Sequence, residues 1–91
     1  MGRGEISWKR RDPDGQRWEV YAHREGGRWA FYARQKRYDN WQRLDQPSLE
    51  DWLALLDGVE RRIPRRLIPP DEGRRVRREI RERFPDEPLE D

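Results

Sequence analysis

Residues 17–34 read RWEVYAHREGGRWAFYAR. The phrase Arg17-Trp18-x-Val20-Tyr21-Ala22 returns as Arg28-Trp29-x-Phe31-Tyr32-Ala33, with Gly26-Gly27 between the two copies. Two alternating runs around a diglycine read as a β-hairpin, because the tight turn that matches strand twist needs positive φ at both central positions. With Gly26-Gly27 as the turn, Ala22 faces Phe31, Val20 faces Ala33, Arg24 faces Trp29 and Trp18 faces Gln35. The opposite face pairs Glu25 with Arg28, Tyr21 with Tyr32, and Glu19 with Arg34. A slip of one residue would mix the two faces, so the pattern selects this register. The phrase repeats because two neighbouring strands need the same in–out pattern.

The next turn upstream is Asp12-Pro13-Asp14-Gly15, with Asp first, Pro second and Gly last, as a type I turn requires. A three-residue loop there sets Trp8 opposite Val20, Ile6 opposite Ala22 and Lys9 opposite Glu19. The apolar face then holds Ile6, Trp8, Trp18, Val20, Ala22, Trp29, Phe31 and Ala33. The result is an antiparallel meander with strands near 5–11, 16–25 and 28–37. Tyr38-Asp39-Asn40 reads as a further turn and residues 41–44 as a short fourth strand. Its register is left open, because Trp41 and Leu44 fall on opposite faces of a regular strand or require a bulge.

Downstream the period changes. Ser48 is a helix N-cap with Glu50 and Asp51 in the first turn. Leu49, Trp52, Leu53, Leu56, Val59 and Ile63 recur at helical spacing until Pro64. The stripe carries the helix through Gly58. This helix, 48–63, is expected to lie across the apolar face of the sheet, each buried large side chain contributing ~1.5–3 kcal/mol. A second helix begins near Pro70-Asp71-Glu72 and runs to Phe84. Its apolar stripe is only Val76, Ile80 and Phe84, among many arginines. Arg75 with Glu79 and Arg78 with Glu82 are expected i, i+4 pairs. The five tryptophans fall about one per element and are expected to share one core.

The expectation is therefore an α+β fold. It has an antiparallel three- to four-stranded meander, one helix packed on its apolar face and a second, arginine-rich C-terminal helix. A single small domain is expected over residues 1–84, with sheet 5–45 and helices 48–63 and 70–84. An acidic disordered tail is expected over 85–91.

Composition narrows function by exclusion. The 91 residues include no cysteine and one histidine, which removes disulfide frameworks, thiolate chemistry and multi-histidine metal sites. Charged residues make up 44% of the chain, a level that suggests disorder unless an aromatic supply such as these five tryptophans offsets it. No apolar run is long enough to span a bilayer, and the N-terminus has no apolar signal region. Met1-Gly2 lacks the Ser or Thr at the sixth position that myristoylation favours, since Ile6 stands there. A cytoplasmic location with no membrane partner is expected. No nucleophile elbow or phosphate loop occurs, so no enzyme, cofactor or small-molecule substrate is implied. His23 as a general base, oriented by Glu5 across the strand pair, is the one catalytic arrangement the pattern offers.

Net charge is only +2, yet the charge lies in blocks. Residues 28–43 are basic and 45–60 acidic. The runs RRIPRR and RRVRREIRER are basic again. Basic residues are nearly all arginine, which suits bidentate phosphate contacts but also follows from a GC-rich coding bias.

Two surfaces are candidates. The first is the outer sheet face, with Lys9, Arg11, Arg17, Tyr21, Arg28, Tyr32, Arg34 and Lys36 as nucleic-acid-binding residues. Aromatic rings among cations stack on bases and track phosphates, and a strand ribbon also fits a DNA major groove. A plainer account is a cross-strand tyrosine pair on a solvated face, worth roughly 0.2–1 kcal/mol. The second is the C-terminal helix, where Arg74, Val76, Arg77, Ile80, Arg81 and Phe84 would hold an acidic protein partner or a second copy in a homodimer. In element order and in its Arg/Trp-rich sheet, the segment from 5 to about 63 resembles small DNA-binding domains that lay a three-stranded sheet in the major groove. Examples are a plant transcription-factor type and the arm-binding domains of some integrases. That resemblance implies duplex DNA as a partner.

Overall fold

The computed structural model of the chain describes residues 4–89. The Met1-Gly2 reading and the last two residues of the predicted tail lie outside them. The chain divides into two compact units, residues 1–47 and 48–91.

The first unit is a four-stranded antiparallel meander in the order β1-β2-β3-β4. Its strands are β1 (Ile6–Arg11), β2 (Arg17–Glu25), β3 (Arg28–Arg34) and β4 (Gln42–Leu44). The diglycine turn has φ of 58° at Gly26 and 83° at Gly27, the conformation that glycine adopts without steric cost. Glu25 pairs with Arg28, Tyr21 with Tyr32, and Ala22 with Phe31, as the hairpin reading requires. Across β1 and β2, Ile6 pairs with Ala22, Trp8 with Val20 and Lys9 with Glu19. The loop between them closes through Gly15 N–H to Asp12 O at 2.8 Å and Asp12 N–H to Gln16 O at 2.9 Å. The Asp12 carboxylate also accepts from the backbone of Asp14 and Gln16 and from Trp18 Nε1 at 2.9 Å. The Trp18 bond, then the Gln16 amide, hold the Asp12 carboxyl below its usual range.

The buried face of the sheet carries Ile6, Val20, Ala22, Phe31 and Ala33. Trp8 meets Phe31 edge-on, with centroids 6.0 Å apart. β3 ends earlier than expected, because the chain turns at 36–39, not 38–40: Asp39 N–H donates to Lys36 O, and Lys36 N–H donates to the Asp39 carboxylate. β4 needs no bulge. Leu44 pairs with Phe31 on the buried face, and Arg43 pairs with Tyr32. Trp41, three residues before Leu44, accordingly emerges on the outer face.

The second unit is a helical pair, α1 (Leu49–Arg62) and α2 (Glu72–Arg83). Ser48 caps α1, its Oγ accepting from Asp51 N–H at 3.2 Å. Gly58 does not break the helix, and the cap falls at Ile63, just before Pro64. The chain then makes one more turn, with Arg66 N–H bonded to Ile63 O and Leu67 N–H to Arg62 O. Arg66 sits at the left-handed position with φ of 59°, a place more often taken by glycine.

Helices of 14 and 12 residues are marginal alone, so each depends on burial. The α1 side of that burial is Trp52, Leu55, Leu56 and Val59. Leu55, absent from the expected stripe, is fully buried, whereas Leu53 is 37% exposed. The wide stripe of a globular helix admits two adjacent positions, and spacing alone does not choose between Leu53 and Leu55. On α2, Val76 and Ile80 are fully buried and Phe84 is half-buried. Glu60 of α1 and Arg77 of α2 form an ion pair, and the Arg83 guanidinium lies 4.7 Å from the centre of the Trp52 ring. Asp71 at the N-cap pairs with Arg75, and Glu79 pairs with Arg83; the expected pairs of Arg75 with Glu79 and Arg78 with Glu82 are not formed among the described residues. Both observed pairs place the acid N-terminal to the base, the better orientation at i, i+4.

The five tryptophans do not share a core. Trp52 is buried, Trp8, Trp18 and Trp29 are half-buried, and Trp41 is 37% exposed. Where the second helix passes into the tail expected over 85–91, residues 84–87 form a turn closed by Glu87 N–H to Phe84 O at 3.0 Å.

Candidate nucleic-acid interface

The outer face of the sheet has two different regions, and the register decides which residues fall in each. Its centre is an interlocked aromatic cluster. Tyr21 and Tyr32 stack with centroids 5.0 Å apart and 16° between planes. Trp41 stands against Tyr21 at 4.7 Å and 87°. The Arg34 guanidinium lies 4.2 Å from the centre of the Trp41 ring and reaches Glu19 at 3.4 Å.

Glu25 ties the lower edge of this cluster together. Its carboxylate accepts from Tyr32 Oη at 2.6 Å, from Arg43 Nη1 at 2.9 Å and from His23 Nε2 at 2.6 Å. His23 therefore works with Glu25, two residues along its own strand, and not with Glu5; with an ionised carboxylate facing it, Nε2 carries the proton. The Tyr32 bond, followed by that of Arg43, lowers the Glu25 carboxyl from 4.5 to about 2. The same Glu25 bond raises Tyr32, and burial raises Tyr21 with help from the charges of Glu5 and Glu25.

A carboxyl depressed in the folded chain stabilises the fold above its unfolded value and loses that contribution in acid. The contribution of Glu25 is thus complete above about pH 4.5 and is lost as the pH falls towards about 2. Glu25→Gln is expected to be less stable than the parent at neutral pH, with the gap narrowing through that acid window. Circular-dichroism melts of both proteins from pH 6 to pH 2 check this, and a gap independent of pH would contradict the assignment.

The second region is the end of the sheet where β1 finishes, β2 starts and β3 finishes. The topology gathers Lys9, Arg11, Arg17 and Lys36 there, together with Arg37, which sequence reasoning had not included; Arg10 stands at the same end on the opposite face, paired with Trp18. Lys9, Arg11, Arg17, Lys36 and Arg37 are exposed, and none of them forms an ion pair among the described residues. Arg11 and Arg17 are direct cross-strand partners. Like charges placed opposite each other destabilise a strand pair. Arg11 Nη1 donates instead to the neutral Gly15 carbonyl at 3.0 Å. Beside them is an open depression of about 350 Å³ lined by Lys9, Arg10, Arg11, Arg17 and Trp18, among others. The register sum that pairs Ile6 with Ala22 also pairs Arg11 with Arg17, so this feature could be found from sequence.

The remaining sequence candidates separate. Arg28 is exposed at the opposite end of the sheet, beside the diglycine turn. Tyr21, Tyr32 and Arg34 are half-buried within the cluster. Of the candidates on α2, Val76 and Ile80 are interior and Arg77 is engaged with Glu60, while Arg74 and Arg81 remain on the exposed side. No apolar stripe of Val76 and Ile80 is left on the surface for a partner. Among the described residues no group of three or more His, Cys, Asp or Glu side chains is placed to hold a metal ion. No helix among them is long and apolar enough to cross a membrane. Comparison of the chain with known protein families, curated proteins and solved structures found no match.

Proposed function

We propose that the chain is a non-enzymatic nucleic-acid-binding module that holds phosphates at the basic end of its sheet. The observation that carries this reading is the opposed pair Arg11 and Arg17, free of any ion pair among the described residues and flanked by Lys9. A fold that sets like charges opposite one another gains when an anion bridges them. Two guanidiniums on adjacent strands, which lie about 4.8 Å apart, suit the oxygens of neighbouring phosphates. The acidic stretch 45–60 keeps net charge near neutral, so affinity comes from this local field rather than from the whole chain.

Fluorescence anisotropy with labelled single- and double-stranded oligonucleotides across a salt series tests the reading. Each phosphate contact contributes a slope of about 0.7–0.9 in log K against log salt. Arg11→Ala/Arg17→Ala is expected to lower that slope by nearly two such steps and to weaken binding at low salt. Absence of binding at low salt, or an unchanged slope in the double variant, would overturn the proposal.

A further inference from the structure

A second depression, of about 540 Å³, lies on the outer sheet face next to the basic end. Its lining includes Glu5, Ser7 and Lys9 on the β1 side and Tyr21, Arg34 and Trp41 on the other. The cause of the hollow is legible in the register. Ser7 is the cross-strand partner of Tyr21. Tyr21 stacks on Tyr32, away from β1, and the small Ser7 does not fill the space left over its own strand. Lys9, two residues on in β1, and Glu5, just before the strand, stand on either side of Ser7.

This hollow has a particular chemistry. Tyr21 and Trp41 meet at 87°, so their rings form an aromatic corner. Arg34 covers part of Trp41, which keeps 37% of its surface exposed. Glu5 forms no ion pair among the described residues, and its charge is felt by Tyr21. The site therefore offers an aromatic corner, a hydroxyl and a carboxylate with no ion pair among the described residues, with the basic rim of Lys9, Arg11 and Arg17 directly beyond. A phosphate would be repelled by Glu5. A nucleobase would not, because its ring stacks on the corner and its amino and imino hydrogens are donors to a carboxylate.

We infer that the hollow seats one unstacked base of a single-stranded nucleic acid whose phosphates lie on the basic end. Guanine fits best, since its N1–H and N2–H₂ donors together match the two oxygens of Glu5. A duplex keeps those donors in base pairs, so the seat selects single strands. The inference rests on the nucleic-acid reading above and adds to it the class of strand and the base.

The test measures anisotropy with short labelled thymine strands carrying one central dG, one dA or one abasic site, and with the matching duplexes. The dG strand is expected to bind about tenfold tighter than its abasic counterpart, the scale of one stacked base. Ser7→Trp, which fills the hollow from an exposed position on an edge strand, is expected to remove that difference and leave duplex binding unchanged. Glu5→Gln, which alters no packing, is expected to remove the preference for dG over dA. If Arg11→Ala/Arg17→Ala weakens binding but dG, abasic and duplex probes bind alike, the phosphate site stands and the base seat falls. If Ser7→Trp and Glu5→Gln both bind every probe as the parent does, the base seat also falls. If no probe binds at low salt, both proposals fall together.

Discussion

Trp52→Ala is expected to cost about 3–5 kcal/mol, the range for removing a buried tryptophan or phenylalanine. Trp52 is 2% exposed and is the largest of the fully buried side chains. It stands in α1 among Leu55, Leu56 and Val59, and the Arg83 guanidinium of α2 covers its ring at 4.7 Å. Truncation removes the ring from the core and the surface that Arg83 lies on. A domain of this length has a total stability of about 5–14 kcal/mol at roughly 0.05–0.15 kcal/mol per residue. The loss is thus a large fraction of the whole. Helices this short do not persist once their tertiary contacts weaken. Trp52→Phe keeps an aromatic ring in the site and is expected to lose much less. Urea titrations followed by far-ultraviolet circular dichroism separate the two variants. A Trp52→Ala midpoint close to the parent's would show that the site collapses around the missing ring.

Phe31→Ala is expected to have an effect of the same size in the sheet, about 3–5 kcal/mol. Phe31 is 2% exposed at the centre of the buried face. Ala22 of β2 is its partner on one side and Leu44 of β4 on the other, and the Trp8 ring meets it edge-on at 73°. Edge-to-face aromatic pairs add roughly 0.5–1.5 kcal/mol beyond burial. Phe31→Leu, closer in volume, is expected to cost less than about 1.5 kcal/mol if its neighbours repack. Amide hydrogen exchange in 17–25 and 28–34 reads the change where it occurs. Unaltered protection there in Phe31→Ala would remove Phe31 from its central place in the sheet's stability.

Phe31→Ala matters for the functional reading because the outer face is only as ordered as the strands beneath it. Glu5 and Trp41 stand just outside the strands, but Arg11, Arg17, Ser7 and Tyr21 are positioned by backbone pairings. Their geometry follows from the same register that buries Phe31.

That register was open to reading before any coordinates. The diglycine between two alternating runs left one pairing that kept apolar residues together, and the Asp-Pro-Asp-Gly turn extended it to β1. A period of two makes a slip costly, because every side chain would change face. Ser48 and Pro64 bounded α1 for local reasons, a cap oxygen and a missing N–H. Tyr21 beside Tyr32, and even Arg11 opposite Arg17, follow from arithmetic on the turn.

The tertiary structure decided what arithmetic does not reach. Trp41 and Leu44 are three residues apart, so one of them had to leave the apolar face. Only the pairing of Leu44 with Phe31 shows that Trp41 is the one, standing against Tyr21 and Arg34. Leu55 is buried and Leu53 is 37% exposed, a choice that helical period leaves open. Val76 and Ile80, read as a stripe for a partner, are interior. Glu25 as the acceptor of three side chains could not be seen either. Its donors come from its own strand, from β3 and from β4, and their convergence depends on rotamers and on the long reach of Arg43. Local pattern and turn chemistry determine the first three strands, their order and the face of each of their residues. Side-chain convergence across strands and helices, where several conformers compete for one space, was decided by packing in three dimensions.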